Sequence, residues 1–93
     1  MTLHIVSKSP YGCNALTECL ATFAEGDVLL LIEDGVYALT DHKWEAAPAG
    51  SVYCLRADAE ARGIAIPEKV EGIDDTRWVE LCTRHNPIVS WYK

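Results

Sequence analysis

Between Gly26 and Gly35 the chain reads Asp27-Val28-Leu29-Leu30-Leu31-Ile32-Glu33-Asp34, an apolar run held between two acidic glycine turns. A short apolar run bounded by turn signals predicts a strand buried on both faces. Such strands belong to parallel sheets covered by helices. Sheets of that kind place their functional loops beyond the carboxyl ends of the strands, here at Asp34-Gly35.

The rest of the chain falls into place around this strand. Leu3 to Lys8 predicts a first strand, and Ser9-Pro10-Tyr11-Gly12 a loop. A helix is expected from about Asn14 to Ala24, with Asn14 as its N-cap and Leu16, Leu20 and Phe23 as a buried stripe. Gly26 ends it. A short helix around Val36–Thr40 follows the central strand. Asp41 to Gly50 reads as a connecting loop or an excursion toward a partner, and Trp44 inside it either stays outside or folds back on the core. Ser51–Leu55 predicts a third strand and Ala57–Arg62 a helix stopped by Gly63. Gly72-Ile73-Asp74 predicts a very short strand, Arg77–His85 a helix, and Ile88–Tyr92 a last strand after the break at Asn86-Pro87. Strands that alternate with helices in this way predict an α/β fold of about five mostly parallel strands with helices on both faces.

At 93 residues the expectation is a single domain, 1–93, with one modest core. The formal net charge of −6 repels phosphate backbones, so direct binding of nucleic acid is not expected. The amino-terminal residues lack the features of a secretory signal, and no apolar run approaches the length of a membrane span. The expected location is the cytoplasm, without membrane attachment, where cysteines stay reduced. Three tryptophans and four tyrosines are many for this length; they either pack the core or mark an interface.

The common chemistries fail one by one. Neither glycine-rich phosphate-loop pattern is present. The first strand–helix loop, Ser9 to Asn14, has hydroxyls and a glycine where a flavodoxin-like protein holds flavin phosphate, yet it is poorer in Ser, Thr and Gly than such loops are. No cofactor is expected. His4, His42 and His85 lie far apart without paired spacing, which argues against a metal site; they read as two exposed residues and one partly buried. No nucleophile elbow is found. The cysteines at 13, 19, 54 and 82 form no Cys-x-x-Cys pair. Cys54 and Cys82 read as core residues. Cys13 sits near a helix N-terminus, where the dipole favours a thiolate. Cys19 stands three residues after Leu16 and four before Phe23. It therefore either joins the buried stripe or sits at its edge, facing a partner.

Three groups of residues together carry a resemblance. They are Leu3 to Pro10, Leu16-Thr17-Glu18-Cys19-Leu20, and Glu25-Gly26-Asp27 through Glu33-Asp34-Gly35-Val36-Tyr37-Ala38. With Val52-Tyr53-Cys54-Leu55, Asp58 and Ala61-Arg62-Gly63, the chain resembles the TusB/DsrH family of sulfur-relay proteins from end to end. The resemblance implies a small three-layer α/β fold of the DsrE/DsrF/DsrH type. It implies two homologous partners, TusC/DsrF-like and TusD/DsrE-like, in a heterohexamer that passes persulfide sulfur between cysteines. A TusE/DsrC-like carrier then takes the sulfur toward 2-thiolation of the tRNA wobble uridine, or, in the Dsr branch, the complex serves sulfur oxidation. The main sulfur-accepting cysteine lies on the TusD/DsrE-like subunit. Cys19 aligns with a cysteine of the DsrH branch, which makes it the candidate accessory sulfur site. The other readings are an independent thiol sulfurtransferase using Cys19 and a chain that self-associates when its partners are missing.

Overall fold

The apolar run becomes the central strand of a parallel sheet. The computed structural model describes residues 1–91. Its strands are β1 (Leu3–Val6), β2 (Val28–Leu31), β3 (Val52–Leu55), β4 (Glu71–Ile73) and β5 (Ile88–Trp91). They lie in the order β4-β3-β2-β1-β5, and every neighbouring pair is parallel. The α/β class and the strand count agree with expectation. Tyr92, the last residue of the expected fifth strand, lies outside the described residues.

Strand order dictates the layers. From β1 to β4 the chain always steps the same way across the sheet, so right-handed crossovers put those connections on one face. They are α1 (Ala15–Ala21), two 3₁₀ segments at Glu33–Thr40 and Lys43–Ala46, and α2 (Arg56–Ala61). The step from β4 back to β5 reverses direction, so α3 (Asp75–Arg84) takes the other face. Packing follows this rule. Leu16, Cys19, Val36, Leu39 and Ala59 pack with Val6, Leu29, Leu31 and Cys54 on the first face. Leu81 packs with Leu3, Ile5, Leu30, Ile32 and Ile73 on the second. Neighbouring residues of the apolar run thus enter opposite clusters, as a strand covered on both sides requires. Each of its buried leucines contributes roughly 1.5–3 kcal/mol over an exposed one.

Several local features depart from the sequence reading. Asn14 makes no side-chain hydrogen bond to the helix, and α1 stops at Ala21. The segment after β2 is a 3₁₀ helix that begins at Glu33 rather than Val36. Glu33 has a φ of 47°, an uncommon backbone for a side chain, and its N–H is held by Asp58 Oδ2 at 2.7 Å. Gly35 then passes so close to β1 that a Cβ there would overlap the Val6 carbonyl oxygen. Only glycine fits that approach. Of the two places open to Trp44 the structure takes the inward one: it folds back into the core, 7% exposed, so the Asp41–Gly50 excursion is anchored rather than free. In α3 the cap is Asp74, whose side chain accepts from the Arg77 N–H at 2.9 Å.

The two sheet edges differ. At β4 the Arg56 guanidinium donates to the Gly72 carbonyl at 2.8 Å. At β5, Ile88 and Ser90 are exposed, and Trp91 turns inward against the first cluster.

Candidate functional site

Cys19 lies on the inner side of α1 and is completely buried, between Leu16 of the same helix and the first face of the sheet. Its spacing from Leu16 explains the position, since residues three apart share a helix face. Burial pushes its thiol up to about 12, and the negative charge of Asp27 adds to the rise. A thiol at that value is ionised to only ~10⁻⁵ at neutral pH, and the thiolate is the reactive form. Cys54 is also fully buried, and desolvation raises it to about 11. Cys13, in the loop before α1, and Cys82 of α3 are half-buried.

Close to Cys19, and missed by the sequence reading, is a polar cluster on β1. His4 was expected to be exposed or partly buried; it is 4% exposed and faces the α1 side of the sheet. Its Nε2 lies 2.8 Å from Asp27 Oδ2. Asp27 also accepts the Thr2 N–H at 2.9 Å and the Ala24 N–H at 3.0 Å. On the other side of the imidazole, Trp91 Nε1 donates to Nδ1 at 3.0 Å. Phe23 flanks the ring at 5.0 Å between centroids, and Trp91 stacks at 6.1 Å. Burial raises the Asp27 carboxyl, but the hydrogen bonds from His4, Thr2 and Ala24 more than offset it and hold the group low, at about 2. One signal was available in the sequence. His4 stands between Leu3 and Ile5 in a strand apolar on both sides, and a buried polar group needs a partner. The partner came from a turn and the second contact from the far end of the chain. Of the other histidines, His42 is exposed and His85 half-buried.

The carboxyl ends of β1 to β3 form the rim where α/β proteins carry their sites. Here side chains bridge the loops of the rim at the surface. Tyr11 from the β1–α1 loop reaches across to Thr40, 2.6 Å between hydroxyl oxygens. Arg62 donates to Asp34 Oδ1 at 3.1 Å and lies 6.0 Å over the Tyr37 ring. A shallow groove of about 380 Å³ opens elsewhere, lined by Leu39, Trp44, Pro67 and Lys69 among others, and no cysteine lines it. Among the described residues no cluster of three metal-ligating side chains occurs. No described helix is long and apolar enough to cross a membrane.

Comparison with known proteins fits this α/β architecture. The family model described as DsrH like protein matches residues 8–88. Protein TusB of Pectobacterium parmentieri is 38% identical over 96 residues, covering 96% of this chain and 99% of that protein. Protein TusB of Photorhabdus laumondii is 34% identical over 97 residues, with the same coverage. Protein TusB of Enterobacter sp. (strain 638) is 35% identical over 96 residues. The chain belongs to the TusB/DsrH family.

Proposed function

We propose that this chain is a cytoplasmic subunit of a heteromeric sulfur-relay complex that supports 2-thiolation of the tRNA wobble uridine, as TusB does. Membership of the TusB/DsrH family and the near full-length similarity to proteins named TusB support the reading. Its partners are then TusC/DsrF-like and TusD/DsrE-like subunits, with a TusE/DsrC-like carrier reaching the complex. A DsrH-like place in sulfur oxidation uses the same transfer chemistry and differs in the companion proteins.

Within the complex the chain shapes its partners rather than carrying sulfur. The observation behind this is the state of Cys19. A persulfide passes on when an acceptor thiolate attacks its outer sulfur and the donor leaves as a thiolate. Cys19 offers neither access nor thiolate, because it is fully buried and its thiol is raised to about 12. Independent sulfurtransferase activity at Cys19 would need α1 to lift from the sheet.

The test is to tag the chain in its native host, isolate it gently and identify its companions by mass spectrometry. Sulfur transfer by the same complex carrying Cys19→Ala is then measured. Two homologous small subunits in equal amounts, with transfer retained, are expected, and the carrier found with them selects the pathway. A chain that emerges alone and takes sulfur on Cys19 overturns the proposal.

A further inference from the structure

The geometry points to a proton-operated latch: Trp91, His4 and Asp27 hold the edge strand β5 to the sheet while His4 is neutral, and release it when His4 gains a proton. The direction of each hydrogen bond can be worked out. An indole N–H can only donate, so His4 Nδ1, 3.0 Å from Trp91 Nε1, carries no proton. The ring proton of the neutral imidazole therefore sits on Nε2 and points at Asp27 Oδ2, 2.8 Å away. A second proton has only one place to go, Nδ1, where its N–H would face the Trp91 N–H. Two buried donors cannot satisfy one another, so the Trp91 contact must open.

Asp27 is the fixed end of the latch. Three donors converge on it from Thr2, His4 and Ala24, and its carboxyl, held at about 2, stays ionised throughout the range in which imidazoles ordinarily titrate. It keeps the ring in place whichever charge the ring has. The moving end is Trp91. Ile88 and Ser90 of β5 are exposed and Val89 is half-buried, so the indole is the strand's anchor in the core. Among the described residues β5 is also held by its ladder with β1 and by two flanking backbone bonds, Leu3 N–H to Pro87 O and Asn86 N–H to Met1 O. Few other ionisable groups bear on His4. β2 and the described β5 residues contribute no charged side chain. From α1 come Cys19, a thiol that stays protonated, and Glu18, which is exposed. The N-terminal ammonium sits on exposed Met1, next to Thr2. Since no side chain among the described residues caps the β5 edge, the latch sets whether that edge is presented as an ordered strand.

Nuclear magnetic resonance on the ¹⁵N-labelled full-length chain tests this. The His4 ring nitrogens, the Trp91 indole N–H and amide exchange across β5 are followed from about pH 8 to about pH 5. At the upper end the His4 proton should be on Nε2. As the ring titrates, the indole signal should shift with the same midpoint, and the protection of the Val89–Trp91 amides, taken relative to the intrinsic exchange rate at each pH, should fall about tenfold, the effect of losing one buried hydrogen bond. β2 protection should not change. In Trp91→Phe, which keeps a ring in the core without the donor, β5 protection should be low already at the upper end and insensitive to pH. Three results overturn the latch: a proton on Nδ1 at the upper end, a ring that titrates while β5 does not respond, or a ring that stays neutral until the whole chain unfolds.

Discussion

Changing Asp27 to Asn preserves the side chain's shape and removes its charge. The carboxylate is 6% exposed and accepts three hydrogen bonds, two on Oδ2 and one on Oδ1. Burial works to raise it, the hydrogen bonds work to lower it, and the balance places it at about 2 against an ordinary 3.8. That difference is equivalent to roughly 2 kcal/mol of folding free energy. A lowered carboxyl stabilises the fold fully above the unfolded value, near pH 4, and the stabilisation is lost as pH falls through about 2. Asn adds a second penalty. Whichever way its amide is turned, the NH₂ group faces at least one of the donors that Asp27 accepts, at about 1–3 kcal/mol. Asp27→Asn should therefore cost about 3–5 kcal/mol at neutral pH. Urea titration followed by circular dichroism gives the free energies of both proteins across the pH range. The gap between them should narrow by about 2 kcal/mol from about pH 5 to about pH 2, because the native protein loses its share. A gap that stays constant over that interval, or a variant as stable as the native chain, would refute the account of Asp27.

Gly35→Ala should cost about 3 kcal/mol or more in thermal melts, since the new methyl group must displace the Val6 backbone rather than a side chain. An unchanged melting temperature would mean that the approach of the 3₁₀ segment to β1 is looser than described. Under iodoacetamide at neutral pH, peptide mapping should find label first on Cys13 and Cys82. Cys19 and Cys54 should react about a hundredfold more slowly, and fully only in denaturant. Trp44→Ala should lower stability by about 3–5 kcal/mol in urea titrations, as expected for a buried aromatic; a loss under 1 kcal/mol, roughly a surface effect, would return Trp44 to the exterior.

What could be read from the sequence was whatever short-range chemistry decides. Val28 to Ile32 declared a doubly covered strand because five adjacent apolar side chains must point both ways from one sheet. Gly26 was legible as a turn residue from local backbone preference, and its φ of 89° agrees, although α1 has already ended at Ala21. Leu16 and Cys19 share a face for reasons of helical period alone. What could not be read depends on contacts between distant residues. Asp27 looked like a turn residue, and its bond to His4 spans 23 positions; Trp91 reaches His4 across 87. No periodicity encodes such a pairing. The start of the 3₁₀ segment is another case, since Glu33 accepts an unfavourable backbone because Asp58, from α2, receives its N–H. Trp44 sits in a polar, alanine-rich stretch whose local composition says loop, and only the groove beneath it says core. Asn14 had the right residue type for a cap, yet its side chain takes no part in α1.

The strand order has a consequence for how the chain acquires its structure. Leu3 and Ile88 are register partners, so the first strand stays unpaired on one side until the last has docked. Such a topology, with its long-separated parallel pairings, makes for slow folding. Until docking, β1 is an open strand with the apolar residues Leu3, Ile5 and Val6, a template on which another unfinished chain can add itself. Refolding yield should thus fall with protein concentration, through a hazard that vanishes once residues 88–91 are in place.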